Sequence, residues 1–148
     1  MVHKEHVLLH WHQKLQSFLP PGGHLEPNED PVQTVLREVE EETALIVDIV
    51  RNKPSLNIQY PTQITSPETI MLEDIDDPYE GPHQHIDMIY FCTVTSPIYE
   101  LKKGWYWVST DTLTRKLPIR RADGLWVQPP EDVRLLALQA LEQVRTTY

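Results

Sequence analysis

The sequence predicts an α/β domain, and three observations carry that expectation. Short runs rich in β-branched and aromatic residues alternate with two well-separated segments whose apolar residues recur at helical spacing. The length, 148 residues, is that of one ordinary domain, and the lone Cys92 cannot pair within the chain, so a hydrophobic core has to hold it together. No apolar run approaches the roughly 20 residues of a membrane span, and Met1-Val2-His3-Lys4-Glu5-His6 lacks the apolar stretch of a signal peptide. One domain over residues 1–148, in the reducing cytoplasm and without a membrane partner, is therefore expected.

The elements follow in order. Val7-Leu8-Leu9 running into His10-Trp11-His12 reads as a strand, and Gln16 to Leu19 as a short second one that Pro20-Pro21-Gly22-Gly23 ends in an irregular loop. Asp30 is a good N-cap and Pro31 a good first helical residue, and Val32, Val35, Leu36 and Val39 then recur at helical spacing to about Thr43. Leu45 to Val50 is a buried-type strand. Residues 51–69 read mostly as loop, with a short strand at Leu56 to Tyr60, and Thr69 to Ile75 reads as strand. Asp76 to Pro82 is an acidic, turn-rich loop. Ile86 to Thr95, partly apolar on both faces, is expected to be a central strand. Trp105 to Val108 forms another strand, followed by a helical turn from Ser109 and a loop over residues 114–128. After Pro129-Pro130, the stripe Val133, Leu136, Ala137, Ala140, Leu141, Val144 marks a closing helix.

Charge is unevenly distributed. The net charge is −9, but residues 26–48 and residues 68–87 carry −7 each, leaving +5 for the remainder, with Lys102, Lys103, Arg115, Lys116, Arg120 and Arg121 in one later segment. An acidic chain is poorly suited to duplex nucleic acid, whose nonspecific attraction depends on basic side chains releasing counterions. Two like-charged blocks in a compact protein repel unless they are spread over solvent or meet at a cation.

The segment Gly22 to Leu45 gives that cation a place. Glu38, Glu41 and Glu42 are three and four residues apart on the helix, so their side chains are neighbours beside the apolar stripe. Three like charges on adjacent turns destabilise a helix by a few tenths of a kcal/mol per pair, and a hard dication reverses that cost. Mg2+ takes oxygen ligands and keeps waters and substrate phosphates, which suits a few carboxylates beside a glycine loop; with no cysteine here, a thiolate zinc site is excluded. The competing reading is a merely solvated Glu-rich face.

The spacing decides between them. Gly23 is followed after five residues by Glu29, and after seven more by Arg37-Glu38-Val39-Glu40-Glu41-Glu42-Thr43-Ala44-Leu45. This resembles the Nudix box: Gly, five residues, Glu, seven residues, then Arg-Glu-apolar-any-Glu-Glu-any-Gly-apolar. One fixed position departs, Ala44 in place of glycine, just past the helix end where a left-handed backbone is common. The resemblance implies a Nudix fold, a mixed β-sheet between helices, whose first strand looks truncated to Met1–His3 and is expected to leave a sheet edge partly open.

It also implies roles. Glu38, Glu41 and Glu42, with a carbonyl from Gly22, would bind Mg2+ or Mn2+; Arg37 would orient the carboxylates and Glu29, with Gly23, would fix loop and helix. Glu41 or Glu38 is the expected proton acceptor, with an acid of the second block, residues 68–87, as the alternative. The implied reaction is hydrolysis of the diphosphate linkage of a nucleoside diphosphate derivative or nucleoside di- or triphosphate, a small-molecule partner; a homodimer is compatible with it. Glu73, His83 and His85 are candidates for substrate or extra metal contacts, the alternative being an acidic surface loop and an exposed histidine pair. His10 and His12, Trp11, Trp105, Trp107 and Trp126 read first as packing residues, and the basic segment Arg115 to Arg121 as solvated loop or phosphate contact. A non-catalytic nucleotide sensor is the main alternative function. Isoprenyl diphosphate isomerisation on a similar fold needs a catalytic Cys, for which Cys92 in a core strand is a poor candidate. Tyr60-Pro61 stands in the reverse order of the family's substrate hints.

Overall fold

The computed structural model describes every residue except 51–55, 57, 99 and 148. Its elements are β1 (Val2–His3), β2 (His6–His12), β3 (Ser17–Leu19), α1 (Pro31–Thr43), β4 (Val47–Ile49), β5 (Thr69–Asp77), β6 (Gly81–Ile89), β7 (Cys92–Val94), β8 (Trp105–Ser109), α2 (Thr110–Thr114), β9 (Ile119–Arg120), β10 (Trp126–Val127) and α3 (Glu131–Thr147). They fall into two compact units, residues 1–50 with 91–148, and residues 51–90.

The first unit holds a mixed six-stranded sheet. β2 is its spine, antiparallel to β8 from His6↔Ser109 to His10↔Trp105 on one edge, and to β1 and β3 on the other. Val7, Leu8 and Leu9 are all buried, which a strand achieves only when both its faces are covered. β1 also runs parallel to β7 through Val2↔Thr93, and β7 is antiparallel to β4. The short first strand is thus as expected, but it lies between β2 and β7 rather than at an open edge. α3 packs on β1, β2 and β7, α1 on β4, and α2 on β8 and α3. Phe18, Leu8, Leu9, Leu113, Val2 and Cys92 are the most deeply buried side chains. Within the segment read as loop, β9 and β10 form a small antiparallel pair, turned at Gly124 with φ 88°.

The second unit is built around the β5–β6 hairpin, in register from Thr69↔Ile89 to Asp77↔Gly81. Its turn is tighter than the acidic loop expected: Asp77 Oδ1 accepts the N–H of Tyr79 at 2.8 Å and of Glu80 at 3.2 Å, and Gly81 takes φ 79°. The strand expected over Ile86 to Thr95 is broken at Tyr90-Phe91. Its first part pairs only with β5, leaving Ile86 66% exposed, and only its last part enters the main sheet as β7. Of the strand expected at Leu56 to Tyr60, the described residues Leu56 and 58–60 carry no strand, and Asn57 lies outside the described residues. Among the described residues no helix is long and apolar enough to cross a membrane.

Candidate active site

A capped helix and the loop before it build the site. Asp30 Oδ1 accepts the N–H of Val32 at 2.8 Å and of Gln33 at 3.0 Å, while Gln33 Oε1 accepts the Asp30 N–H at 2.9 Å, and Pro31 opens α1. This reciprocal capping box satisfies donors that a helix start otherwise leaves open, and it fixes where the loop enters. At the far end Ala44 takes φ 59° and ψ 22°, and its N–H bonds the Glu40 carbonyl at 2.8 Å. Alanine therefore ends the helix in the conformation that glycine adopts freely. Val39 is buried, but Leu36 is 38% exposed, so the inward stripe is narrower than its periodicity suggests. Buried Thr34 and Thr43 fill part of it, their hydroxyls bonded to Glu29 Oε2 at 2.8 Å and to the Val39 carbonyl at 2.6 Å.

Arg37 gathers the acids. Its Nε and Nη2 donate to the two oxygens of Glu29 at 2.8 and 2.9 Å, Nη1 donates to Glu38 Oε1 at 2.8 Å and Glu41 Oε2 at 3.2 Å, and Nη2 reaches the His24 carbonyl at 3.1 Å. A planar fork is what such a set of acceptors requires. The guanidinium holds Glu29 down at about pKa 2, helped by the Glu26 N–H and the Thr34 hydroxyl. The hydrogen bonds that it donates to Glu29 and then to Glu38 raise Arg37 above its ordinary value.

The glycines meet the acids from the loop side. A Cβ on Gly23 would collide with the Glu38 carboxylate, so a side chain here would have to push that carboxylate off its Arg37 partner. Gly22 donates its N–H to Glu42 Oε2 at 3.2 Å. Burial pushes Glu42 above the usual carboxylate range, the Gly22 N–H and Lys102 pull it down, and the charge of Glu38 pushes it further up. Lys102 also donates Nζ to the Glu41 carbonyl at 2.6 Å, near the negative end of the helix dipole. Nothing in the sequence singles out Lys102 from the other basic residues of its segment, because its partner is a backbone atom 61 positions away.

Glu38 thus meets Gly23 and Glu42 meets Gly22, with Glu41 tied to Glu38 through Arg37, and oxygen is the only donor atom of all three acids. That set fits a hard dication, and the raised Glu42 beside Glu38 is a place where added positive charge relieves repulsion. Among the described residues no three His, Cys, Asp or Glu side chains converge as a metal cage, and Arg37 holds one oxygen each of Glu38 and Glu41.

The other candidates belong to other elements. Glu73, His83 and His85 lie on β5 and β6 of the second unit, where Glu73 is in register with His85. His10 stacks on Trp105 at 4.7 Å, a packing role, and burial with the neighbouring His12 lowers its pKa. The basic segment is engaged within the protein: Arg121 lies 3.9 Å over the Trp11 ring and pairs with Asp123 at 2.6 Å, Arg115 pairs with Asp111, and Lys116 with Glu131. Cys92 is buried, and that burial pushes its thiol up, away from nucleophilic thiolate chemistry.

A NUDIX domain model matches residues 1–128. Among solved structures, the chain is similar to a NUDIX-family hydrolase from Clostridium perfringens, with 30% identity, a TM-score of 0.76, and 97% of this chain and 92% of that one covered. It is also similar in fold to the Ap4A hydrolase of C. elegans, with 16% identity, a TM-score of 0.51, and coverage of 95% and 84%.

Proposed function

Because the chain belongs to the NUDIX family, we propose that it is a Mg2+-dependent pyrophosphohydrolase, with Mn2+ as a substitute ion. Its substrate would be a nucleoside diphosphate derivative or a nucleoside di- or triphosphate, opened at the diphosphate linkage by water attack on phosphorus. The observation that carries this reading is the Arg37 network, which spends one guanidinium on keeping three acids of the box in place. Glu38, Glu41, Glu42 and the Gly22 carbonyl would hold the ion, which when bound neutralises the diphosphate and acidifies the attacking water.

The chain's own residues do the rest. Arg37 bonds one oxygen each of Glu38 and Glu41 and leaves the second oxygen of each to a ligand or a proton. Glu41, 62% exposed against 16% for Glu38, is the better placed to accept the water's proton and pass it to solvent. Gly23 keeps the loop backbone against the Glu38 carboxylate.

Formation of nucleoside monophosphate, pyrophosphate or phosphate from a panel of nucleotides, nucleotide sugars and dinucleotides, with and without Mg2+, tests this. Glu41→Gln and Glu42→Gln are expected to lower turnover by about a hundredfold or more with folding intact. Near-normal turnover in both variants overturns the assignment, and nucleotide binding without Mg2+-dependent release points to a sensor instead.

A further inference from the structure

The β5–β6 hairpin carries a histidine pair whose geometry differs from that of an ordinary surface pair. His83 and His85, two residues apart on β6, project from one face of the hairpin, and their Nε2 atoms stand 3.2 Å from each other. His83 Nδ1 lies 2.9 Å from the Gly81 carbonyl oxygen, which can only accept, so Nδ1 carries the proton and the His83 Nε2 lone pair accepts the hydrogen bond from His85 Nε2, a shared proton whose place a cation bound to both nitrogens would take. A backbone carbonyl holding the far nitrogen is the outer support that metal-binding histidines regularly have. The spacing fits as well. Two nitrogens about 2.1 Å from a shared ion are about 3.0 Å apart at octahedral and about 3.4 Å apart at tetrahedral angles.

A carboxylate belongs to the same face. Glu73 of β5 is in register with His85, a cross-strand position with Cβ atoms about 5 Å apart, within reach of a carboxylate arm. Among the described residues no third His, Cys, Asp or Glu side chain has closed on the pair. Glu73 can do so by turning about its own side-chain bonds, since it is an exposed strand residue. Imidazole nitrogens with one carboxylate select borderline ions such as Zn2+ rather than Mg2+.

We propose that His83 and His85, completed by Glu73, form a site for a borderline transition-metal dication such as Zn2+ on the hairpin, with none of its ligands drawn from the box. Bound there, the ion ties β5 to β6 across a sheet that has no third strand among the described residues to steady it. The inference is independent of the proposed hydrolysis, because its readout is metal uptake.

The test is calorimetric titration of the full chain with Zn2+ in millimolar Mg2+, so that hard-oxygen sites are already competed for. One equivalent of Zn2+ is expected to bind. His83→Gln and His85→Gln should each weaken it by at least about tenfold, the loss that removing even an outer partner of a ligand produces. Glu73→Gln should weaken it severalfold, and Glu42→Gln should leave it unchanged. Both histidines are partly exposed on a strand face, and far-UV circular dichroism checks that the variants fold. No uptake above the Mg2+ background, uptake that persists in both histidine variants, or uptake abolished by Glu42→Gln would each overturn the proposal.

Discussion

At Ala44 an exposed residue with a methyl side chain sits on a left-handed backbone, φ 59°. That conformation costs an L residue about 1–2 kcal/mol. Glycine removes the strain but gives back about 0.4–1 kcal/mol through its freer unfolded chain. Ala44→Gly is therefore expected to raise stability, by up to about 1 kcal/mol, seen as a higher urea midpoint at unchanged slope; a lower midpoint would show that the methyl group contributes something else. Residues of this kind were legible in the sequence because every partner is close in the chain. Glu29, Arg37 and Glu38 sit at fixed spacings, and Arg37 donates hydrogen bonds to both acids. Lys102 was not legible, since its partner is a carbonyl that only the fold brings to it.

At the scale of elements, α3 is locked at its first turn. Arg134, 9% exposed, donates Nε and Nη2 to the two oxygens of Glu131 at 2.7 Å each and Nη1 to the Leu113 carbonyl of α2 at 3.3 Å. The hydrogen bonds from Arg134, with Lys116 nearby, hold Glu131 at about pKa 2. A depressed carboxylate stabilises the fold fully above its ordinary pKa of 4.5 and loses that contribution as pH falls toward 2. The stability gap between wild type and Glu131→Gln in urea titrations should thus be constant from pH 7 to about 4.5 and then shrink; a gap that stays constant to pH 3 would count against the lock. The closing helix, the box helix and the Trp105 to Val108 strand were all legible, because local periodicity encodes them. The break in Ile86 to Thr95 was not. Alternating apolar residues announce a strand but not which sheet it joins, and the two halves are divided by pairings to β5 on one side and to β1 and β4 on the other. The two-residue strands β9 and β10 are too short to show a period at all.

Across the whole molecule, the two acidic blocks have different settings. The first is organised around Arg37, whereas the second is strung along β5, its turn and β6, in a sheet of only two strands. Ile70, Leu72 and Ile86 of that hairpin are each more than 60% exposed, while Val7, Leu8 and Leu9 of β2 are buried with both edges paired. Isolated hairpins are marginal in water, so protection should differ between the units. Hydrogen exchange is expected to be faster in the β5–β6 amides, by about a hundredfold or more, than in β2; equal protection would mean the two units open together.

The aromatic packing along β2 and β8 also decides how the molecule can be watched in solution. All four tryptophans belong to the first unit: Trp11 beneath Arg121, Trp105 stacked on His10, Trp107 tilted against His3, and Trp126 at 63% exposure. The second unit has none. Intrinsic tryptophan emission is therefore a built-in dye that arises wholly within the unit carrying the box. A fluorescence melt and a far-ultraviolet dichroism melt of this chain report on different populations of residues.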